Sequence, residues 1–428
     1  MSASRQPSSG RVEMKITHVE SMILHIPFYA DHVVAAMHRA QTHDEAVLVV
    51  RVELDDGTVG YGDTQGAGLP GAALLERVVG ANPLTLLFDD GLGFALQVAL
   101  LDAVGRATDT PAHALLGKQI RHRCPLSWWD IDMPPEDWKK EAEASIKRGY
   151  TTFKMKARPW RDIHEQIATV GNAVPRDYRF DVDFNGFLLT PARAEEHLTR
   201  LDEHVNVGMY ESPFYLLKDL TGARILRERV KKPIVEHFRE DVLHAHASDG
   251  FVVGGGIEAV RRTAALAAEF NKPFWLQLVG AGPTSAYSLH LGSVLSHAQL
   301  PYITCHELFE DDLLTSPIDL VDGYADVPEG PGLGVDVDEE ALERYRVDPG
   351  TPTPKQVYRA QKRILKVRWP GVGGKQREWA FTDESHYQRL FYDGTVPPFQ
   401  EGVHLDVTED DGSAGFASEH EAIAARGL

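Results

Sequence analysis

Lys154 and Lys156 stand two apart in TTFKMKA, a stretch that reads as a short strand. Residues two apart on a strand project from the same face, so the two amines point together. RFDVDFNG reads as another strand and puts Asp183 and Asn185 on one face by the same rule. Glu211 follows in GMYESP, closed by Pro213, and Glu236 follows Pro233 in KKPIVEHF. Counted from Lys156, the three acids recur at intervals of 27, 28 and 25 residues, the length of one strand, one helix and two loops. A right-handed βα repeat lays parallel strands side by side, so residues at their C-terminal ends converge. Two amines and three carboxylates then share one mouth. Three carboxylates repel one another without a cation, and around Mg²⁺ they make a hard oxygen-ligand site. A single K-x-K is usually a solvated strand and a lone acid at a strand end usually caps a helix. The ordered set, one βα unit apart each time, carries the functional reading.

These motifs resemble the enolase superfamily, and more narrowly its mandelate racemase/muconate lactonizing branch, over a span from about Met14 to about Tyr345. The resemblance implies that Asp183, Glu211 and Glu236 hold Mg²⁺ and that Lys154 and Lys156 sit on one side of a small-molecule carboxylate substrate. It also implies the reaction: removal of the proton α to the carboxylate and stabilisation of the resulting enediolate. Lys156 is then the base, with a pKa lowered by the metal and its neighbour, and Lys154 stabilises the enediolate.

The rest of the chain must position these groups. MKITHVESMILHI reads as a strand, PFYADHVVAAMHRAQTHDEA as a loop, and AVLVVRVELDDGTVGYGDT as a hairpin about Asp55-Asp56-Gly57. An antiparallel start before a βα repeat fits the superfamily's capping domain, whose first loop closes over substrate. That loop holds His32, His38 and His43, read as candidate substrate contacts alongside Asn185, Gln277 and His237. An unperturbed histidine titrates near neutrality, so one of them is a candidate acid. FALQVALLDAVGRATDTPAHALLGK has helical apolar spacing. From PLSWWDID onward, strand and helix signals alternate to Leu308.

Downstream of Glu236 the pattern departs from the family. Members with a second lysine carry it on the strand before the turn that GGGIEA matches, and DGFVV has none. The mandelate racemase type has an Asp there and a His on the next strand, where this chain has Gln277. Asp249, at the start of its strand, reads as structural, and Gly254 to Gly256 as a tight turn. Glu307, in ITCHELFE, aligns with the acid that hydrogen-bonds the substrate carboxylate, a role it fills if it stays protonated. Strict alternation points His237 and His306 away from the barrel axis. With no second-face acid/base, one-sided chemistry is expected: dehydration of a hydroxy or sugar acid to a 2-keto acid. Racemase/epimerase or cycloisomerase activity is the alternative. A second alternative is a metal- and carboxylate-binding member without turnover.

The expected fold is a modified (β/α)7β TIM-like α/β barrel, with an α+β capping domain built from the N-terminal region and a C-terminal segment. The expected division is a disordered tail over 1–13, a cap over 14–124, the barrel over 125–322, a return to the cap over 323–347 and an extension over 348–428. That extension is basic and helical, then aromatic, then acidic and in part disordered, and its aromatic content points to packing on the barrel or on a neighbouring subunit. The 428 residues exceed one ordinary core. A formal charge of −19 argues against nucleic acid or an anionic membrane as partner. Two cysteines, Cys124 and Cys305, imply no disulfide framework. No run of 18 apolar residues occurs and MSASRQPSSG lacks a signal peptide's apolar region, so the expectation is a cytoplasmic enzyme. The resemblance adds a symmetric homo-oligomer.

Overall fold

The computed structural model describes residues 14–40, 43–395 and 399–425, so the tail expected over 1–13 lies outside the described residues. Strands Ile16–His25, Ala46–Leu54 and Val59–Gln65 form an antiparallel meander, and Arg346–Val347 returns late in the chain to pair with the first of them. Gly57 turns the hairpin at φ 84°, a conformation that favours glycine. Helix Phe94–Ala107 lies on the last strand of this sheet, and its approach is set by two glycines. A Cβ on Gly60 or Gly62 would fall 2.2 Å from Ala103 N or Ala95 O of that helix. The stretch read as a loop after the first strand instead contains helix Asp31–Arg39. Its Val33, Ala36 and Met37 recur at helical spacing and bury one face.

Seven parallel strands follow in chain order, each beside its predecessor: Trp128–Asp130, Thr152–Lys156, Arg179–Asp183, Val207–Glu211, Ile234–His237, Gly250–Val253 and Phe274–Leu276. Parallel bridges Gln277↔Ile303 and Leu126↔Tyr302 carry the chain around residue 303 and back to the first strand, closing the ring. The result is the expected (β/α)7β barrel with a separate antiparallel cap sheet. Side chains alternate as the pleat demands. Phe153 meets Trp138 of the outer helix Pro135–Lys147, while Lys154 and Lys156 on the same strand meet carboxylates of neighbouring strands. Tyr210 likewise donates to Leu198 O of the outer helix Pro191–Leu201, and its neighbour Glu211 faces Lys154.

Beyond the barrel, strands Arg363–Pro370, Gln376–Phe381 and His404–Glu409 make a third sheet, with helices Pro354–Ala360, Glu384–Tyr392 and Ala414–Ala425 around it. Thr353 and Gln356 form a reciprocal capping box at the first of these helices. The acidic end, expected to be partly disordered, is ordered through Ala425: Ile423 and Phe416 pack on Ile364 of the central strand. Among the described residues, no helix is long and apolar enough to cross a membrane.

Candidate active site

Ladder register brings the predicted residues together. Lys156 pairs with Asp183 across the second and third barrel strands, Asp183 with Glu211 across the next pair, and Glu211 with Val235, the residue before Glu236. Three acids therefore stand at three adjacent strand ends. Asp183 and Glu211 are fully buried, and Lys154 and Lys156 are 1% and 9% exposed. Lys154 Nζ lies 2.5 Å from Glu211 Oε2, 3.5 Å from Asp183 Oδ2 and 2.9 Å from Gln277 Oε1, to which it donates. Lys156 Nζ donates to Asp183 Oδ2 at 2.5 Å. The half-buried Glu236 accepts from Ser212 Oγ at 2.7 Å and from His237 N at 2.9 Å.

Electrostatics separates the two amines. Burial and the charge of Lys154 lower Lys156, against the opposing pull of Asp183. Lys154 is raised: burial pulls it down, and the attraction of Glu211 and Asp183 outweighs that. Asp183 is held below the usual carboxylate range by Lys156 and Lys154, in spite of its burial. Burial raises Glu236.

As they stand, Asp183 and Glu211 are turned toward the lysines and Glu236 toward Ser212. Among the described residues, no three His, Cys, Asp or Glu side chains gather into a group that could hold a metal. The donor set nonetheless fits Mg²⁺ in its chemistry, with three hard carboxylates on neighbouring strand ends. Neither buried oxygen of Glu211 has a hydrogen bond of good geometry: Oε2 is paired with Lys154 at 2.5 Å and Oε1 stands 3.3 Å from His237 Nε2.

The remaining predicted residues fall into distinct places. Glu307, 3% exposed, accepts Trp129 N at Oε1 (2.9 Å), while its buried Oε2 takes no hydrogen bond and stands 3.4 Å from His306 Nδ1. It lines a separate cavity with Arg148 and His306, not the one that holds Lys156. Burial raises it to about 8. Asn185, just past its strand at φ 45°, accepts Arg158 Nη2 at 3.1 Å and lines a cavity with Lys156, Gln277 and His43. His43 pairs with Gln65 at 2.6 Å, lies 4.4 Å from the Trp129 ring, and is lowered to about 3 by burial. His32 and His38 do not line this cavity. His32 contacts Glu141 at 2.6 Å, where Tyr29 and Trp128 also donate, and His38 is paired with Glu45. His237, expected to point away, brings Nε2 to 3.3 Å from Glu211 Oε1, since alternation lapses at the strand end. His306 does turn elsewhere, to Thr304 Oγ1 at 2.8 Å. Asp249 accepts Ile234 N and pairs with Arg227, away from the mouth.

Sequence reading missed several cavity residues: Arg158, Gln65, and, from beyond the barrel, Glu384, Gln388 and Tyr392. For the last three the available signal was their spacing of four residues within one helix.

The enolase C-terminal domain-like family model matches residues 137–341. Muconate cycloisomerase 1-1 of Acinetobacter lwoffii is 27% identical over 78% of this chain and 97% of its own length. D-Gluconate dehydratase of Thermoproteus tenax is 26% identical over 71% of this chain and 70% of its own. The crystal structure of N-succinyl Arg/Lys racemase from Bacillus cereus matches with a TM-score of 0.63 at 20% identity, over 78% of this chain and 98% of that one, and so shares the fold. The barrel, the strand-end acids and the matched domain converge on one conclusion: residues 137–341 belong to the enolase C-terminal domain-like family, and the chain's relatives and structural neighbours are enzymes of the mandelate racemase/muconate lactonizing branch.

Proposed function

We propose that this protein is a Mg²⁺-dependent cytoplasmic enzyme that removes the proton α to a carboxylate and then eliminates water from a hydroxy or sugar acid, giving a 2-keto acid. The observation that carries the reading is the pairing of two buried lysines on one strand with acids at the next two strand ends, Lys156 with Asp183 and Lys154 with Glu211. When bound at Asp183, Glu211 and Glu236, Mg²⁺ supplies positive charge against the negative charge that develops on the substrate carboxylate. Lys156, lowered by burial and by its neighbour, takes the α-proton. Lys154, itself buried, stays an ammonium and stabilises the anion that forms. Glu307, protonated up to about pH 8, donates to the substrate carboxylate from Oε2, which takes no hydrogen bond and has His306 Nδ1 3.4 Å away. The proton held on Lys156 then leaves with the β-hydroxyl as water, and the C2 enol that remains becomes the 2-keto acid as its hydroxyl proton passes to the β-carbon, which balances the reaction.

Gln277 supports one-sided chemistry, because an amide neither gives nor takes a proton and here it only accepts from Lys154. The neutral His43 is a hydrogen-bonding wall rather than an acid. The dehydratase relative agrees with this reading, and the cycloisomerase relative supports cycloisomerisation equally. Gln277 also favours a second reading, a member that binds metal and carboxylate without turnover. The substrate is a small carboxylate, and we assign the protein a symmetric homo-oligomeric state on family grounds. Proton NMR over a panel of sugar and hydroxy acids with Mg²⁺ tests the reading. A new keto-acid methylene signal identifies the dehydratase, and racemised or cyclised product transfers the assignment to the isomerases.

A further inference from the structure

Neither the matched domain, which ends at residue 341, nor the barrel chemistry uses the last portion of the chain. That portion nevertheless reaches the active-site mouth. A cavity of about 490 Å³, within the usual range for small-molecule sites, has Lys156 and Gln277 at its barrel end and Glu384, Gln388 and Tyr392 on its outer wall. The three outer residues lie four apart on helix Glu384–Tyr392 and so form one stripe. The adjoining stripe is apolar and anchors the helix to the barrel. Tyr387 meets Trp160 edge-on at 5.6 Å, and Phe391 meets Phe187 at 5.4 Å. Tyr392 stacks on Phe187 at 5.5 Å. Glu384 lies 3.8 Å from Arg39 of the cap helix. The extension thus bridges cap and barrel over the mouth, apolar side down and polar side toward the cavity.

This polar stripe has capacity to spare. Gln388 is half-buried, and its amide has no hydrogen-bond partner among the described residues. An amide in a cavity wall offers one donor face and one acceptor, the complement of a hydroxyl. Tyr392 adds a phenol hydrogen-bonded to Tyr215 of the same wall, and a phenol oxygen in such a pair still has a lone pair or its proton to offer a substrate hydroxyl. We propose that Gln388 and Tyr392 are specificity-determining residues that bind hydroxyl groups on the end of the substrate remote from its carboxylate, so that the C-terminal extension selects hydroxylated chains over alkyl chains. The proposal rests on the assignment of the carboxylate end to the lysines. A wall built to hydrogen-bond a hydroxyl rejects the analogue that lacks it, because its own polar groups are then left unpaired.

The test is calorimetric binding, in Mg²⁺, of two 2-hydroxy acids of equal chain length, D-gluconate and 2-hydroxyhexanoate, to the full-length protein. The parent is expected to bind gluconate at least about tenfold more tightly, and Gln388→Leu and Tyr392→Phe each to shrink that ratio about three- to tenfold, the factor of one neutral hydrogen bond. Gln388→Asn, which shortens the amide, is measured beside them with thermal unfolding and carries the test if the Leu variant does not fold. A ratio that ignores all three substitutions overturns the proposal, as does a parent that binds the two acids equally or binds neither. Exchange of the α-proton is followed separately in the parent. If exchange fails while the ratio still follows Gln388, the catalytic reading falls and the wall stands. If exchange proceeds while the ratio is unmoved, the wall falls and the catalytic reading stands.

Discussion

Replacing Lys154 by Met keeps the side-chain stem against Trp275, whose ring lies 5.1 Å from the ammonium, and removes the charge. At an effective dielectric of about 20, the 2.5 Å and 3.5 Å contacts to Glu211 and Asp183 are worth roughly 7 and 5 kcal/mol of gross attraction. Most of this is offset by the cost of burying the ammonium, which the substitution returns. What is left is Asp183 paired with Lys156 and Glu211 with only His237, 3.3 Å away, beside it, and breaking a buried pair in this way costs about 3–5 kcal/mol. Chemical denaturation in EDTA, followed by the fluorescence of the seven tryptophans, reads the loss directly. With saturating Mg²⁺ the acids have another cation, so the gap between Lys154→Met and parent narrows. A variant as stable as the parent in EDTA refutes the reasoning. So does a deficit that Mg²⁺ leaves unchanged, because lysine and metal would then not share the same carboxylates.

Glu307 supplies a pH prediction. Its carboxyl is protonated in the folded chain up to about pH 8, whereas the unfolded chain ionises it near 4.5. The native state binds the extra proton across that window, so this group's contribution lowers stability as pH rises through it. Glu307→Gln should flatten the fall in unfolding temperature between pH 5 and 8, and should remove the alkaline loss of activity near pH 8; a slope identical to the parent's contradicts the assignment. Phe187→Ala removes the ring on which Tyr392 and Phe391 rest. A loss of about 3–5 kcal/mol is expected for a buried aromatic, together with faster proteolytic cleavage within the 348–428 extension; an unchanged cleavage pattern means the extension is held elsewhere.

What was legible in the sequence was what periodicity encodes. K-x-K needs only the two-residue repeat of a strand to put Lys154 and Lys156 on one side, and the intervals to Asp183, Glu211 and Glu236 are each one βα unit. Partners remote in sequence were not legible. His32 and His43 sit in one segment with similar composition. One is taken by Glu141, 109 residues away, and the other faces the cavity beside Trp129. Helix Asp31–Arg39 carries little helix signal in the sequence, because no side chain caps its start at Ala30 and two β-branched valines weaken its propensity. His237 escaped the alternation rule because Ile234–His237 is only four residues long and ends at that histidine. The role of the extension depends on Trp160 and Phe187 meeting Tyr387 and Tyr392, contacts between segments about 200 residues apart that leave no local pattern.

The central claim is that Lys156 takes a proton from the carbon next to a carboxylate. Proton NMR in D₂O with Mg²⁺, parent beside Lys156→Ala, tests it on any acid the parent turns over or exchanges. Proton abstraction by this lysine predicts loss of the α-proton signal with the parent and, because positioned general-base catalysis is worth about 10²–10⁴-fold, at least a hundredfold slower loss with the variant. Equal rates for the two proteins would contradict it.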